Sequence, residues 1–216
     1  MVAQVEPRRA GEHILFELDS NYCRERIVIV SGQNLKAGQV LARIATGAAV
    51  MTAFPGNAAN TGAAAAVVVS AGAKVGRHKI IFIEPGSNAG KFIHFDPDGI
   101  PVAAGTAGVA YSEGGLAFTI PDGATDFSSA EGFYVDVAAG SGKYRAIDFA
   151  SAVGAEVAVA VLYDAVDASA ADQPGVISAR ITLINAHELE WPAGATTNQK
   201  NAAIAQLVAR TLIVRA

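Results

Sequence analysis

The sequence predicts a mainly β chain with a short C-terminal helix, interrupted by an inserted small antiparallel β-sandwich or barrel-like domain. Three observations carry this expectation. Hydrophobic residues make up 51% of the 216, but the excess is alanine and valine rather than leucine and aromatics. That balance favours compact sheets with small side chains over a large helical core. Short apolar runs recur with Gly, Pro and Asp between them, the punctuation of antiparallel strands. Two segments of one texture flank a long stretch of another, so one small domain reads as split around an insert.

Residues 1–24 mix Pro7, Arg8, Arg9, Glu12, Glu17 and Asp19 with isolated apolar residues. Within them Ile14, Phe16 and Leu18 alternate with Leu15, Glu17 and Asp19, a strand signal with no partner nearby in sequence. Such a segment is expected to be a flexible arm that becomes a strand by adding to the sheet edge of another chain. Ile27–Val30 is a β-branched run broken by Ser31-Gly32-Gln33-Asn34, and Val40–Ile44 follows as a second strand after Lys36-Ala37-Gly38. Residues 45–62, rich in Ala, Gly and Asn, read as a connection into the insert.

Inside the insert, strands are expected at 67–69, 78–84, 91–95, 109–111, 116–120 and 133–137. Turns at Pro85-Gly86-Ser87-Asn88, Asp96-Pro97-Asp98-Gly99 and Glu113-Gly114-Gly115 separate them. Ala139-Gly140-Ser141-Gly142 leads out. Val157–Leu162 is a strand, 164–172 a loop, and 176–184 alternates as one half-buried strand. Thr196 with Gln199 three residues on is a capping box, and Ile204, Leu207 and Val208 share one face of the helix it starts. Leu212–Val214 is a terminal strand.

Several function classes lose support at this level. The net charge of −4 argues against direct nucleic-acid binding. Cys23 is the only cysteine, so no intrachain disulfide or cysteine zinc site is expected; it reads as a small, partly buried apolar residue. Arg8-Arg9 is followed by Gly11-Glu12-His13 rather than an apolar run, so no secretory or twin-arginine leader is expected, and no stretch is long enough for a membrane span. Gly140-Ser141-Gly142-Lys143 has Val137 where a phosphate loop needs its first Gly, and Tyr144 after the Lys. Asp96 and Asp98 lack the further ligands of a calcium loop. His13, His78, His94 and His187 are scattered, with no i, i+4 pair. No catalytic residue, cofactor or metal site is expected.

The outer segments resemble the head-decoration protein family of tailed bacteriophages, the lambda-type capsid decoration proteins. The resemblance rests on Arg24-Glu25 leading into Ile27–Val30, on Ser31–Leu41, and on Ser141-Gly142-Lys143-Tyr144. It continues through Val161–Ala168, Leu189-Glu190-Trp191-Pro192-Ala193-Gly194, Gln199–Leu207 and Ile213-Val214-Arg215. It covers roughly residues 24–45 and 143–216.

The resemblance implies a β-rich decoration domain of α+β character built from residues 25–56 and 143–216. It implies a flexible capsid-binding arm at 1–24, and leaves 57–142 as an inserted module projecting from the shell. It implies a homotrimer on the outer surface of the virion, made in the host cytoplasm and bound to the major capsid protein. Such trimers sit at local threefold positions of an expanded icosahedral head and hold it against the pressure of packaged DNA. Arg8, Arg9, Ile14, Phe16, Leu18, Arg24 and Arg26 are then the expected capsid-binding residues, with Trp191 and Pro192 at a domain or subunit edge. The alternative is a capsid-displayed adhesin whose insert binds host-surface glycans or other polymers. Tyr111 and Tyr134 would then be exposed for stacking on sugar rings, while Phe127 is expected in the core.

Overall fold

A computed structural model describes residues 6, 8–59, 61–70, 72–84, 90–151 and 153–215. The chain divides into two compact units, Met1–Ile44 with Gly142–Ala216, and Ala45–Ser141. It opens with strand β1 (Ile14–Glu17), the short helix α1 (Ser20–Cys23), β2 (Arg24–Ile29), β3 (Gln33–Leu35) and β4 (Val40–Arg43). The second unit then contributes β5 (Thr46–Ala53), β6 (Val68–Val69), β7 (Gly76–Glu84) and β8 (Lys91–Phe95). It continues with β9 (Pro101–Thr106), β10 (Tyr111–Glu113), β11 (Leu116–Phe118) and β12 (Gly132–Ala139). The chain returns to the first unit through β13 (Tyr144–Ala146), β14 (Ala158–Leu162), β15 (Val166–Ala168), β16 (Gln173–Ser178) and β17 (Thr182–Asn185). A 3₁₀ turn (Ala186–Glu188), helix α2 (Thr197–Ala209) and β18 (Leu212–Arg215) complete it.

In the first unit five strands close into a barrel in the order β13-β2-β16-β14-β4. Its interior is filled by Ile29, Leu41, Ala160, Leu162 and Ile177. Aliphatic side chains without an aromatic ring among them suit the closure, because so few strands enclose little space. Outside the barrel, α2 places Ala203 and Leu207 against Val40, Val161, Ile184 and Leu212. The helix starts as its sequence dictates: the Thr196 hydroxyl accepts from the Gln199 amide, and the Gln199 side chain accepts from the Thr196 amide.

The residues 176–184, expected as one strand, form two. β16 ends at Ser178, Ala179 N donates to the Cys23 carbonyl at 2.8 Å, and Ile181 turns the corner at φ +42°. The chain thereby leaves the barrel and forms β17 between β1 and β18. Cys23 is fully buried at this corner, its Sγ 3.4 Å from the Ile181 carbonyl.

The second unit sets a five-stranded sheet, β5-β12-β7-β8-β9, against a three-stranded one, β10-β11-β6. Between them lies an aromatic core that includes Phe82, Phe92, Phe118, Phe127 and Phe133, the arrangement of a small antiparallel sandwich. Residues 45–62, expected as a connection, contain β5, which pairs along β12 from Ala139↔Thr46 to Phe133↔Ala53. β9 is a further strand where none was expected, paired to β8. The small side chains of β5 and β9 gave no apolar run to read, and their pairing partners supply what propensity lacks. The expected turn at 85–88 lies outside the described residues.

Candidate interaction surface

Strand β1 is an edge of the sheet β1-β17-β18. It pairs antiparallel with β17 through Ile14↔Ile184, Phe16↔Leu183 and Glu17↔Thr182, with a bulge between Ile14 and Phe16. The expected arm strand therefore has a partner within its own chain, one about 170 residues away by this register. The bulge also breaks the alternation. Ile14 is half-buried, whereas Leu15, Phe16 and Leu18 are 55%, 60% and 63% exposed. An extra residue in an edge strand re-aims consecutive side chains in this way.

The neighbourhood of β1 is anchored by polar contacts. His13 is buried, with Nε2 3.0 Å from the Ser178 hydroxyl. Burial, and then the Arg24 charge, lower its pKa to about 4, so the ring is neutral at pH 7. Arg24 grips both oxygens of Glu17, its Nε 3.0 Å from Oε2, and its guanidinium lies 3.9 Å from the centre of the Tyr163 ring. The hydrogen bond to Glu17 raises the Arg24 pKa further above its ordinary value. Gly11 N donates to the Tyr163 carbonyl at 2.8 Å.

Arg8 reaches a second anchor. Its Nη1 donates to the Glu188 carbonyl at 2.6 Å and lies 3.3 Å from the Glu190 carboxylate. Lys36 pairs with the same Glu190 at 3.1 Å. Glu190 N in turn donates to the Gly38 carbonyl at 2.9 Å, and Val40 N to the Glu190 carbonyl at 3.1 Å. Gly38 has φ +79°, and a Cβ there would stand 2.2 Å from the Glu188 carbonyl oxygen, so this approach requires glycine. The Ser31–Leu41 block and the Leu189–Gly194 block, far apart in sequence, thus meet along the Gln39–Glu190 bridge.

Of the arginines expected to seek a partner's acids, Arg8 and Arg24 are held by acids of their own chain. Arg9 is largely exposed and paired with Glu6, and Arg26 is exposed with no ion pair among the described residues. Trp191 packs half-buried against the α2 core, with Pro192 beside it.

The expectation for Tyr111 is corrected. It is only 5% exposed, and its hydroxyl lies 2.8 Å from His94 Nδ1. Tyr134 is half-buried between Phe54, whose ring centre is 4.5 Å away, and the Arg77 guanidinium at 4.7 Å. That ring therefore already has two close neighbours in its own chain. Phe127 is buried and stacked on Phe82 at 3.8 Å.

Sequence reasoning also missed a buried pair: His78 Nδ1 lies 2.9 Å from His94 Nε2, and His78 Nε2 2.7 Å from the Lys74 carbonyl. A carbonyl only accepts, so His78 Nε2 carries the proton and its Nδ1 accepts from His94. His94 Nδ1 then accepts from Tyr111, and every group in the row is satisfied. Burial, then the neighbouring His78, lower the His94 pKa to about 4. The hairpin of β7 and β8 brings the two rings together; reading His78 and His94 as inward residues of paired strands would have found them. Among the described residues no group of three or more His, Cys, Asp or Glu is arranged to hold a metal.

These features define a β-rich protein with an anchored edge strand beside which Leu15, Phe16 and Leu18 are exposed. A family model described as bacteriophage lambda head decoration protein D matches residues 3–84 and 116–212. The chain belongs to that family, and with it to the structural proteins that decorate phage capsids. The match reaches beyond the outer segments into the second unit and leaves out 85–115. No curated protein matches the chain. Among solved structures, the crystal structure of FlgL from Xanthomonas campestris is similar at 14% identity and a TM-score of 0.34. The likeness covers 55% of this chain and 41% of that one, and is too weak to bear on role.

Proposed function

We propose that this protein binds the outer surface of the expanded icosahedral head as trimers at local threefold positions. There it associates with the major capsid protein and stabilises the shell against the pressure of packaged DNA. The observation that carries this reading is the edge strand β1, with Leu15, Phe16 and Leu18 exposed beside it, inside the family-matched residues. A capsid strand added to that edge would gain main-chain hydrogen bonds worth about 0.5–1.5 kcal/mol each, net. It would also cover the apolar side chains. A trimer presents three such edges, so later contacts form at high effective concentration.

The test is co-sedimentation with unexpanded and expanded heads of its phage, with the mass of the free protein measured. Deleting residues 1–24 is a poor probe, since it strips β1 from β17 and His13 from Ser178. The double substitution Phe16→Asp with Leu18→Asp alters only exposed side chains. The expected result is a trimer that saturates expanded heads alone, with binding lost in the double variant. A monomer, or equal binding of the variant, would overturn the trimer or the edge-strand model respectively.

A further inference from the structure

One mouth of the first unit's barrel is built differently from the rest of the surface. Inward positions recur every second residue along a strand. On β2 they are Ile29, Ile27 and then Glu25; on β4 they are Leu41 and then Arg43. Glu25 and Arg43 are therefore the last inward residues at this end, opposite Ile177 and Tyr144 in register. Arg180, just after β16, and Arg210, at the C-cap of α2, complete the rim. Together they enclose a pocket of about 360 Å³.

The rim carries three arginines and one glutamate in a chain whose net charge is −4. Arg180 is spoken for: it pairs with Glu25, and its Nη1 donates to the Tyr22 carbonyl at 2.5 Å. Arg43 Nε donates to the Gly142 carbonyl at 3.3 Å. Among the described residues neither Arg43 nor Arg210 has an acidic partner. The floor is apolar: Tyr144, Val159 and Ala179 line it half-buried, packed over the buried Ile177 of the barrel core.

We propose that this mouth is a binding site for an acidic peptide segment, seating a carboxylate side chain with its methylene stem on the floor. Two arginines without acids supply the charge-assisted, bidentate hydrogen bonds that carboxylates take. The apolar floor favours a carboxylate on an alkyl stem over a bare phosphate, which would leave the half-buried Tyr144 and Val159 uncovered. An extended nucleic acid needs a broad basic track, which a pocket bounded by Glu25 does not provide. The inference goes beyond the capsid reading and is tested on the free protein, so the failure of one leaves the other standing.

The experiment titrates the full chain, by calorimetry, with N-acetyl-Leu-Glu-Glu-amide, its Gln-Gln counterpart, inorganic phosphate and a short oligothymidylate. The acidic peptide is expected to saturate one site and to shift the NMR signals of Tyr144 and Ile177. The glutamine peptide should bind at least tenfold more weakly, and Arg43→Gln or Arg210→Gln should each weaken the acidic peptide about tenfold. Both arginines are exposed, so thermal melting should confirm that each variant stays folded. Tighter binding of phosphate or oligothymidylate would overturn the peptide assignment. Equal binding of the glutamine peptide, or unchanged affinity in both folded variants, would overturn the site.

Discussion

The two units solve the problem of a β core with different side chains. The barrel of the first unit is packed with Ile, Leu and Ala, and its aromatic residues Tyr144, Phe149 and Trp191 stay half-buried at the margins. The second unit buries Phe82, Phe92, Tyr111, Phe118, Phe127 and Phe133 together. Geometry explains the difference. A five-stranded barrel leaves a narrow interior that small side chains fill, whereas two sheets facing each other stand about 10 Å apart and need large ones. The aromatic core makes its own demands. A Cβ at Gly105 would lie 2.2 Å from the Phe92 ring, so that ring can lie across β9 because the residue beneath it is glycine. The buried histidine pair belongs to the same core, where each polar atom must find a partner.

The largest expected effect tests whether that aromatic core stands on its own. Phe92 is buried among Phe82, Tyr111 and Phe118. Phe92→Ala should cost the second unit about 3–5 kcal/mol. Calorimetry should then show one transition falling while that of the first unit holds. A uniform drop of a single transition would mean that the units unfold together.

A smaller effect comes with pH, and it touches both units. His13 in the first and His94 in the second each have a pKa lowered to about 4 by burial. Both rings stay neutral in the fold, while the unfolded chain takes up protons below about pH 6.5. The unfolded state thus binds more protons between those values. Stability should be flat above about pH 6.5, fall as the pH drops towards 4, and level off with respect to these groups below that. Urea midpoints across this range measure it. His94→Asn should flatten the slope for the second unit alone; an unchanged slope would remove His94 from the account.

The smallest effect is local to the first unit. Thr196→Ala removes one half of the capping box of α2 and should cost about 1 kcal/mol. A matching loss in the second unit's transition would contradict a division into separate cores.

How much of this was legible in the sequence depended on whether the signal was local. The capping box at Thr196 and Gln199 was readable because both partners lie within one turn. β2, β4 and β14 were readable as short continuous apolar runs, and β7 and β8 because their buried face repeats every second residue. The family blocks were readable because Gly38 and its neighbours sit in fixed order. β5 and β9 were not, since strands made mostly of Ala, Gly and Thr are defined by what they pair with.

The sequence by itself determined a β-rich chain with a capped C-terminal helix and membership of a family of capsid decoration proteins. Only the tertiary structure decided that β1 is paired to β17, that Tyr111 is buried against His94, and that Arg43, Arg180 and Arg210 share one mouth. The physical reason is the same in each case. These facts depend on contacts between residues distant in the chain, and strand register, which sets them, follows from burying one face of every strand at once.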